Sequence, residues 1–172
     1  MPERTLLRNA RILTCAAGTD ERPADGDILI AGNRVAEVAP GRLQVDEAST
    51  RVVDLRGATV LPGLGDAHTH ISWPLDFVFD HAGVAATDPA PHTLDVAAVT
   101  RTYLESGYTL IVGAGVLHPL DDVLARDAIE RGLVTGPRIV PSGTMVGDPK
   151  GLGGDGAMME IAANAKELRD IV

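Results

Sequence analysis

The sequence is short of the residues that mark several classes of protein. It has one cysteine, Cys15, only two lysines, and 3% aromatic residues in 172 positions. A single cysteine excludes an internal disulfide, so a reducing compartment and a cytoplasmic protein are expected. Arginines and a glutamate interrupt the apolar residues of the first fourteen positions, and no long apolar run follows. The sequence therefore predicts neither a signal peptide nor a membrane span.

Positive charge is also scarce. Fifteen basic residues stand against 24 acidic ones, which gives a net charge of −9 at pH 7. An acidic surface repels phosphate backbones, so nucleic acid is not an expected partner. Hydrophobic residues make up 45% of the chain and charged residues 23%, which is typical of a soluble globular protein.

The patterning of the chain changes near residue 58. Short strand patterns separated by turn signals, among them Gly32-Asn33, predict a small β-sandwich domain over residues 1–57. Residues 58–172 alternate between strand and helix patterns, which indicates parallel β/α units and an α/β fold. The predicted strands there cover 58–70, 108–113 and 138–143, and the predicted helices cover 94–106, 120–131 and 158–172.

The stretch at residues 61–70, LPGLGDAHTH, contains the clearest functional signal. On a strand His68 and His70 face the same side, about 7 Å apart, so both imidazoles could bind one metal ion. The alternative is a pair of buried histidines satisfied by neighbouring groups. Asp66 would share the face of His68 and could orient a metal ligand through a hydrogen bond. It could equally be a polar residue at the start of a strand.

This stretch and three other phrases resemble the metal-dependent amidohydrolase superfamily, in particular its imidazolonepropionase-like and prolidase-like branch. The other phrases are ESGYT at residues 105–109, RDAIERG at 126–132 and GPRI at 136–139. The resemblance implies a TIM barrel in which His68 and His70 bind a divalent metal. Zinc is the expected ion, as one or two atoms, and manganese or iron also suits such ligands.

The resemblance also implies that much of the barrel lies outside these 172 residues. A TIM barrel has eight strands and about 250 residues, and three barrel strands are predicted here. The family's bridging lysine, later histidines and catalytic aspartate belong to strands four to eight, and Lys150 and Lys166 lie on no predicted strand. We expect an incomplete barrel of three β/α units, completed by a second polypeptide in an oligomer or by a missing segment.

The function implied by the resemblance is hydrolysis of an amide-type C–N bond in a small molecule by metal-activated water. Amides, carbamates, ureas, cyclic amides and dipeptides are the substrates considered. Two alternatives are a non-catalytic scaffolding or metal-binding subunit of a hydrolase complex and an inactive fragment.

Four residues are candidates for a substrate pocket. Trp73 and Phe77 follow the first barrel strand, and His118 follows the second. Asp155 lies in a glycine-rich loop after the third strand, at about the place where the family has a histidine. Loop packing is the alternative for the aromatic residues. His92, like His118, is assigned to a loop, where exposure is expected.

Overall fold

The computed structural model describes residues 4–16, 18, 22–73, 89–150 and 159–171. The chain divides into two compact units, Met1–Pro62 and Gly63–Val172. This division falls between Pro62 and Gly63 rather than between residues 57 and 58. The reason is that a short strand at Thr59–Val60 pairs with the first strand of the chain and so belongs to the first sheet.

The first unit is a five-stranded sheet. Its strands are β1 (Arg4–Ile12), β2 (Ala24–Ala31), β3 (Arg34–Pro40), β4 (Thr50–Asp54) and β5 (Thr59–Val60). The order is β3-β2-β1-β4, and β5 pairs with β1. The turn between β2 and β3 contains Gly32 at a φ of 58°, which confirms the predicted hairpin. Among the described residues of this unit there is no second sheet of the kind that a sandwich requires.

The second unit alternates strands and helices. Its elements are β6 (Leu64–Thr69), α1 (Pro89–Glu105), β7 (Tyr108–Gly113), α2 (Asp121–Glu130), β8 (Arg138–Val140), β9 (Met145–Gly147), β10 (Met159–Ile161) and α3 (Ala165–Ile171). Strands β6, β7 and β8 form a parallel sheet in that order, and β9 pairs in parallel with β10. The three predicted β/α strands are therefore present, in a mixed α/β fold.

The predicted helix over 158–172 is wrong in its first part. Residues Met159–Ile161 pair with β9, and the helix begins only at Ala165. Asn164 marks the start, because its side-chain oxygen accepts hydrogen bonds from the N–H groups of Lys166 and Glu167 at 3.0 and 3.1 Å. The Glu167 carboxylate in turn accepts from the N–H of Ala163 at 2.8 Å. This reciprocal capping fixes the helix start.

The core of the second unit lies between the sheet and helices α1 and α2. It consists of Ile71, Val96, Ile111, Ala125 and Ile139. The alternate residues of the strands face away from it, and Leu110 is 39% exposed and Val140 48% exposed. One face of the sheet is therefore covered by helices, and apolar side chains on the other face meet solvent.

Among the helices of the described residues, none is both long enough and apolar enough to cross a bilayer.

Candidate metal centre

His68 and His70 lie at the carboxyl end of β6. His68 is exposed and His70 is half-buried. The centroids of the two rings are 5.1 Å apart, and the ring planes meet at 75°. The structure thus brings the two imidazoles together, as a shared metal ion would require, and the binding of a metal there stays a prediction.

A bulge in β6 alters the neighbourhood predicted for Asp66. The register with β7 pairs Asp66 with Ile111 but Thr69 with Gly113, so β6 has an extra residue between the two pairs. Simple alternation therefore does not place Asp66 on the face of His68. The Asp66 carboxylate accepts a hydrogen bond from the backbone N–H of His68 at 3.1 Å. Among the described contacts, the Asp66 carboxylate bonds to the backbone of His68 and to neither imidazole ring.

Asp66 also acts on α1. Burial raises the pKa of the Tyr103 phenol, and the negative charge of Asp66 raises it further. Tyr103 packs edge-to-face against Tyr108, with centroids 5.7 Å apart. The aspartate thus influences the layer between the sheet and α1 as well as the end of β6.

The ring of His70 is held on two sides. Its Nδ1 lies 3.2 Å from the carbonyl oxygen of Gly115, in the loop after β7. Its face stacks on Trp73, with centroids 4.0 Å apart and planes at 25°. Trp73 and Met145 of β9 both pack against the buried Leu117. Segments that follow three successive strands of the sheet therefore meet beside His70.

The four pocket candidates have different outcomes. Trp73 lies beside His70, as described above. Phe77 and Asp155 lie outside the described residues. His118 is half-buried, its ring packs edge-to-face on His92 at 4.9 Å, and its Nε2 is buried without a hydrogen-bond partner among the described residues. The substrate contacts predicted for these residues stay predictions.

The expectation that His92 is an exposed loop residue is wrong. His92 belongs to α1 and is 3% exposed, with Nε2 3.0 Å from the carboxylate of Asp121. The same carboxylate oxygen accepts from the backbone N–H of His118 at 3.0 Å. The helix starts at Pro89, ahead of the predicted start, because the first turn of a helix tolerates prolines. The prolines at 89 and 91 were therefore compatible with a first helical turn that includes His92, and this was the signal available in the sequence.

A fully buried carboxylate joins the loops after β7 and β8. Asp122, in the first turn of α2, accepts hydrogen bonds from the N–H and the hydroxyl of Ser142 at 2.6 and 2.9 Å. It also accepts from the N–H of Gly143 at 3.3 Å. A side chain at Gly113 would meet this carboxylate at 2.5 Å, so the end of β7 is packed directly against it. Asp122 thus fixes two segments at the carboxyl end of the sheet.

The donor set supports part of a metal site. Two imidazoles at a strand end are ligands that zinc and other divalent transition metals favour. Within the part of the chain that the structure describes, no group of three or more His, Cys, Asp or Glu residues is placed to hold a metal ion. His68 and His70 would therefore be two ligands of a site that needs others.

The parallel β/α sheet and the histidine pair at the end of its first strand agree with the family resemblance seen in the sequence. Comparison with known families agrees: the model of the amidohydrolase family matches residues 59–171. The chain belongs to the amidohydrolase family.

Curated relatives match the chain over part of their own length. The imidazolonepropionase of Anaeromyxobacter dehalogenans strain 2CP-1 is 30% identical over an alignment of 174 positions, gaps included, that covers 74% of this chain and 40% of that protein. The dihydroorotase of Pelobacter propionicus is 29% identical over 149 residues, which cover 85% of this chain and 31% of that protein. The chain thus spans 40% or less of these two relatives. The predicted likeness to imidazolonepropionases is confirmed.

Solved structures show the same partial match. A candidate prolidase from Bifidobacterium longum superposes with a TM-score of 0.70 at 31% identity, over 98% of this chain and 37% of that chain. The ochratoxinase of A. niger gives a TM-score of 0.74 at 20% identity, over 98% and 43%. The mixed α/β fold described above therefore matches the N-terminal portion of amidohydrolase structures.

Proposed function

We propose that this chain forms part of a metal-dependent hydrolase that cleaves an amide-type C–N bond in a small molecule. The observation that carries the proposal is the pairing of the His68 and His70 rings at the end of β6 in an amidohydrolase-family chain. Similar proteins are named imidazolonepropionase, dihydroorotase and prolidase. These names support an amide, a cyclic amide or a dipeptide as the substrate class. Carbamates and ureas belong to the same class of C–N bonds.

His68 and His70 would hold a divalent ion, zinc in the first instance, with manganese or iron as alternatives. Such an ion polarises a carbonyl and lowers the pKa of bound water toward about 7. Trp73 and Met145, packed on the buried Leu117, would form an apolar wall beside His70. This wall would bind an apolar part of the substrate and keep bulk water away. Neither histidine is assigned as the general base.

We place the remaining ligands and the general base in the rest of the barrel, on a further segment or a second polypeptide. Two observations support this. The matched relatives are more than twice as long as the matched region. Leu110 and Val140 also leave one face of the sheet apolar and exposed, where the inner layers of a closed barrel would pack.

The test is substitution of both histidines in the completed enzyme. After the polypeptide that co-purifies with this chain is identified by native mass spectrometry, His68→Ala and His70→Ala should each lose bound metal and most turnover. Arg101→Ala, at an exposed position of α1, is the control and should keep both. Metal content and turnover that stay unchanged in both histidine variants would contradict the proposal. A stable monomer that is active with its metal would contradict the need for a completing segment.

A scaffolding role is the second candidate. It is favoured by the fact that the described residues supply no third ligand near the histidine pair. In that case the complex would depend on this chain for assembly, and both histidine variants would keep full turnover. An inactive fragment would instead aggregate when expressed alone and would bind neither a metal nor a partner polypeptide.

A further inference from the structure

The two candidate ligands differ in how firmly they are held. A carbonyl oxygen only accepts hydrogen bonds, so the contact between His70 and Gly115 at 3.2 Å requires a proton on His70 Nδ1. In the neutral ring the lone pair then lies on Nε2. A ring free in water has no such constraint, and His68 is exposed. The loop after β7 therefore selects one tautomer of one histidine.

The backbone conformation at position 115 favours glycine. Its φ is +143°, a conformation that residues with a side chain rarely adopt. A Cβ there would overlap the sulfur of Met145 and lie 3.5 Å from Cε1 of His70. The missing side chain thus lets the Gly115 backbone approach the imidazole edge and leaves room for the Met145 sulfur beside Gly115.

The remaining contacts limit rotation of the His70 ring. Trp73 covers one face, and the backbone N–H of Trp73 donates to the carbonyl of His70 at 3.1 Å. Leu117, which is almost completely buried, packs against both Trp73 and Met145. The N–H of Leu117 donates to the Ser72 hydroxyl at 2.7 Å, which ties the loop that contains Gly115 to the end of β6.

We propose that Gly115 is a positioning residue for His70: its carbonyl fixes the Nδ1–H tautomer, and its lack of a side chain leaves the space that the Met145 sulfur occupies on the same side as the edge of the imidazole. His70 Nε2 is then the preset nitrogen for a metal ion. The role toward a metal rests on the proposed function, whereas the tautomer is a property of the metal-free chain.

The first test is the tautomer itself. Nitrogen NMR of the metal-free chain, at a pH well above the ordinary imidazole pKa of about 6.5, separates protonated from unprotonated ring nitrogens. His70 should show a protonated Nδ1 and an unprotonated Nε2, with exposed His68 as the internal reference. A predominant Nε2–H form at His70 would overturn the proposal, whether or not the chain binds metal.

The second test is Gly115→Ala, with Gly132→Ala as the matched control. Gly132 also has a positive φ, +70°, but a Cβ there meets no atom within 4 Å. Gly115→Ala should move His70 toward the Nε2–H form and weaken zinc binding, followed by NMR titration, by about 10–100-fold. Gly132→Ala should change neither quantity. Equal effects of the two variants would overturn the positioning role.

The two tests separate this proposal from the proposed function. One outcome is that the wild-type chain shows the Nδ1–H tautomer while added zinc leaves the His68 and His70 signals unchanged. In that case the proposed metal site is wrong, and the positioning of His70 by Gly115 is upheld. If zinc binds at the pair and the tautomer is the opposite one, Gly115 has no positioning role. If Gly115→Ala does not fold, the tautomer of the wild-type chain decides alone.

Discussion

At the scale of single residues, Asp122 is the clearest case of a buried group with a defined structural task. Its carboxylate is completely buried and accepts from three donors, the N–H and hydroxyl of Ser142 and the N–H of Gly143. A hydrogen bond to a charged group contributes about 1.5–3 kcal/mol. The network is therefore sensitive to loss of this carboxylate.

We predict that Asp122→Ala lowers the free energy of unfolding by about 1–3 kcal/mol, because the charged hydrogen bonds that tie Ser142 and Gly143 to α2 are lost. Urea denaturation followed by circular dichroism measures the change. Asp127→Ala, on the same helix but in a partly exposed pair with Arg126, is the control and should have a smaller effect. Equal midpoints for the two variants would show that the carboxylate does not bridge the loops.

Tyr103 provides a prediction about pH. Burial and the charge of Asp66 both raise its pKa. Because the folded pKa is raised, this phenol contributes stability below its ordinary pKa of about 10, and the contribution is lost as pH rises through the folded value. Unfolding midpoints should therefore fall at alkaline pH, and Tyr103→Phe should make that fall less steep. If Tyr103→Phe leaves the decrease of the midpoint with pH unchanged, Tyr103 is not the cause of that decrease.

Asp66→Asn separates charge from hydrogen bonding. The amide oxygen can still accept from the N–H of His68, but the negative charge beside Tyr103 is gone. The pKa of Tyr103 should therefore decrease, as measured by phenolate absorbance, while the His68 amide signal in NMR stays in place. A Tyr103 pKa that does not move would exclude the charge of Asp66 as a cause of the raised value.

At the scale of elements, strand β7 has two unlike faces. Ile111 is fully buried against the helices, whereas the adjacent Leu110 is 39% exposed on the other face. Ile111→Ala should cost about 2–5 kcal/mol of unfolding free energy, since it leaves a cavity in the core. Leu110→Ala should cost much less in this chain. Similar losses from both would mean that the second face is already covered.

The sequence was informative where one local pattern decides the structure. The β6 strand, the apolar β7 strand and the hairpin at Gly32 followed from alternation, apolar runs and turn residues. The bulge between Asp66 and Thr69 did not follow, because a register shift depends on the partner strand. Strand β10 was missed for the same reason: three residues become a strand only through pairing with β9.

The candidate site shows the same division. His68 and His70 could be chosen from spacing alone. Gly115 and Met145 could not, since their role comes from contacts across segments distant in the sequence. His92 was misplaced because two prolines hid the first turn of its helix, and the Asp121 carboxylate that it contacts lies 29 residues further on.

At the scale of the whole molecule, the apolar face of the β6–β8 sheet should control association. We predict that the chain self-associates as its concentration rises, because Leu110 and Val140 expose apolar surface on a sheet whose outer strands pair with no further strand among the described residues. The double variant Leu110→Lys and Val140→Lys should remain monomeric in light scattering. Leu133→Lys, at a position 66% exposed after α2, is the control and should associate as the wild type does. Association that survives the double variant would place the contact elsewhere.

The net charge of −9 predicts a second property of the whole molecule. The chain should not retard duplex DNA in a gel shift at low salt, where electrostatic binding is strongest. A shift that weakens with added salt would reveal a basic patch that the overall charge conceals.

The contacts of Asp122 also define what could be exchanged between related enzymes. The loop after β8 is tied to a carboxylate that belongs to α2, and that carboxylate lies against Gly113 at the end of β7. If the loop alone is grafted into a related protein, its backbone N–H donors lose the carboxylate that accepts their hydrogen bonds. The transferable module is therefore the end of β7, the first turn of α2 and the start of the following loop, and it has to be moved together.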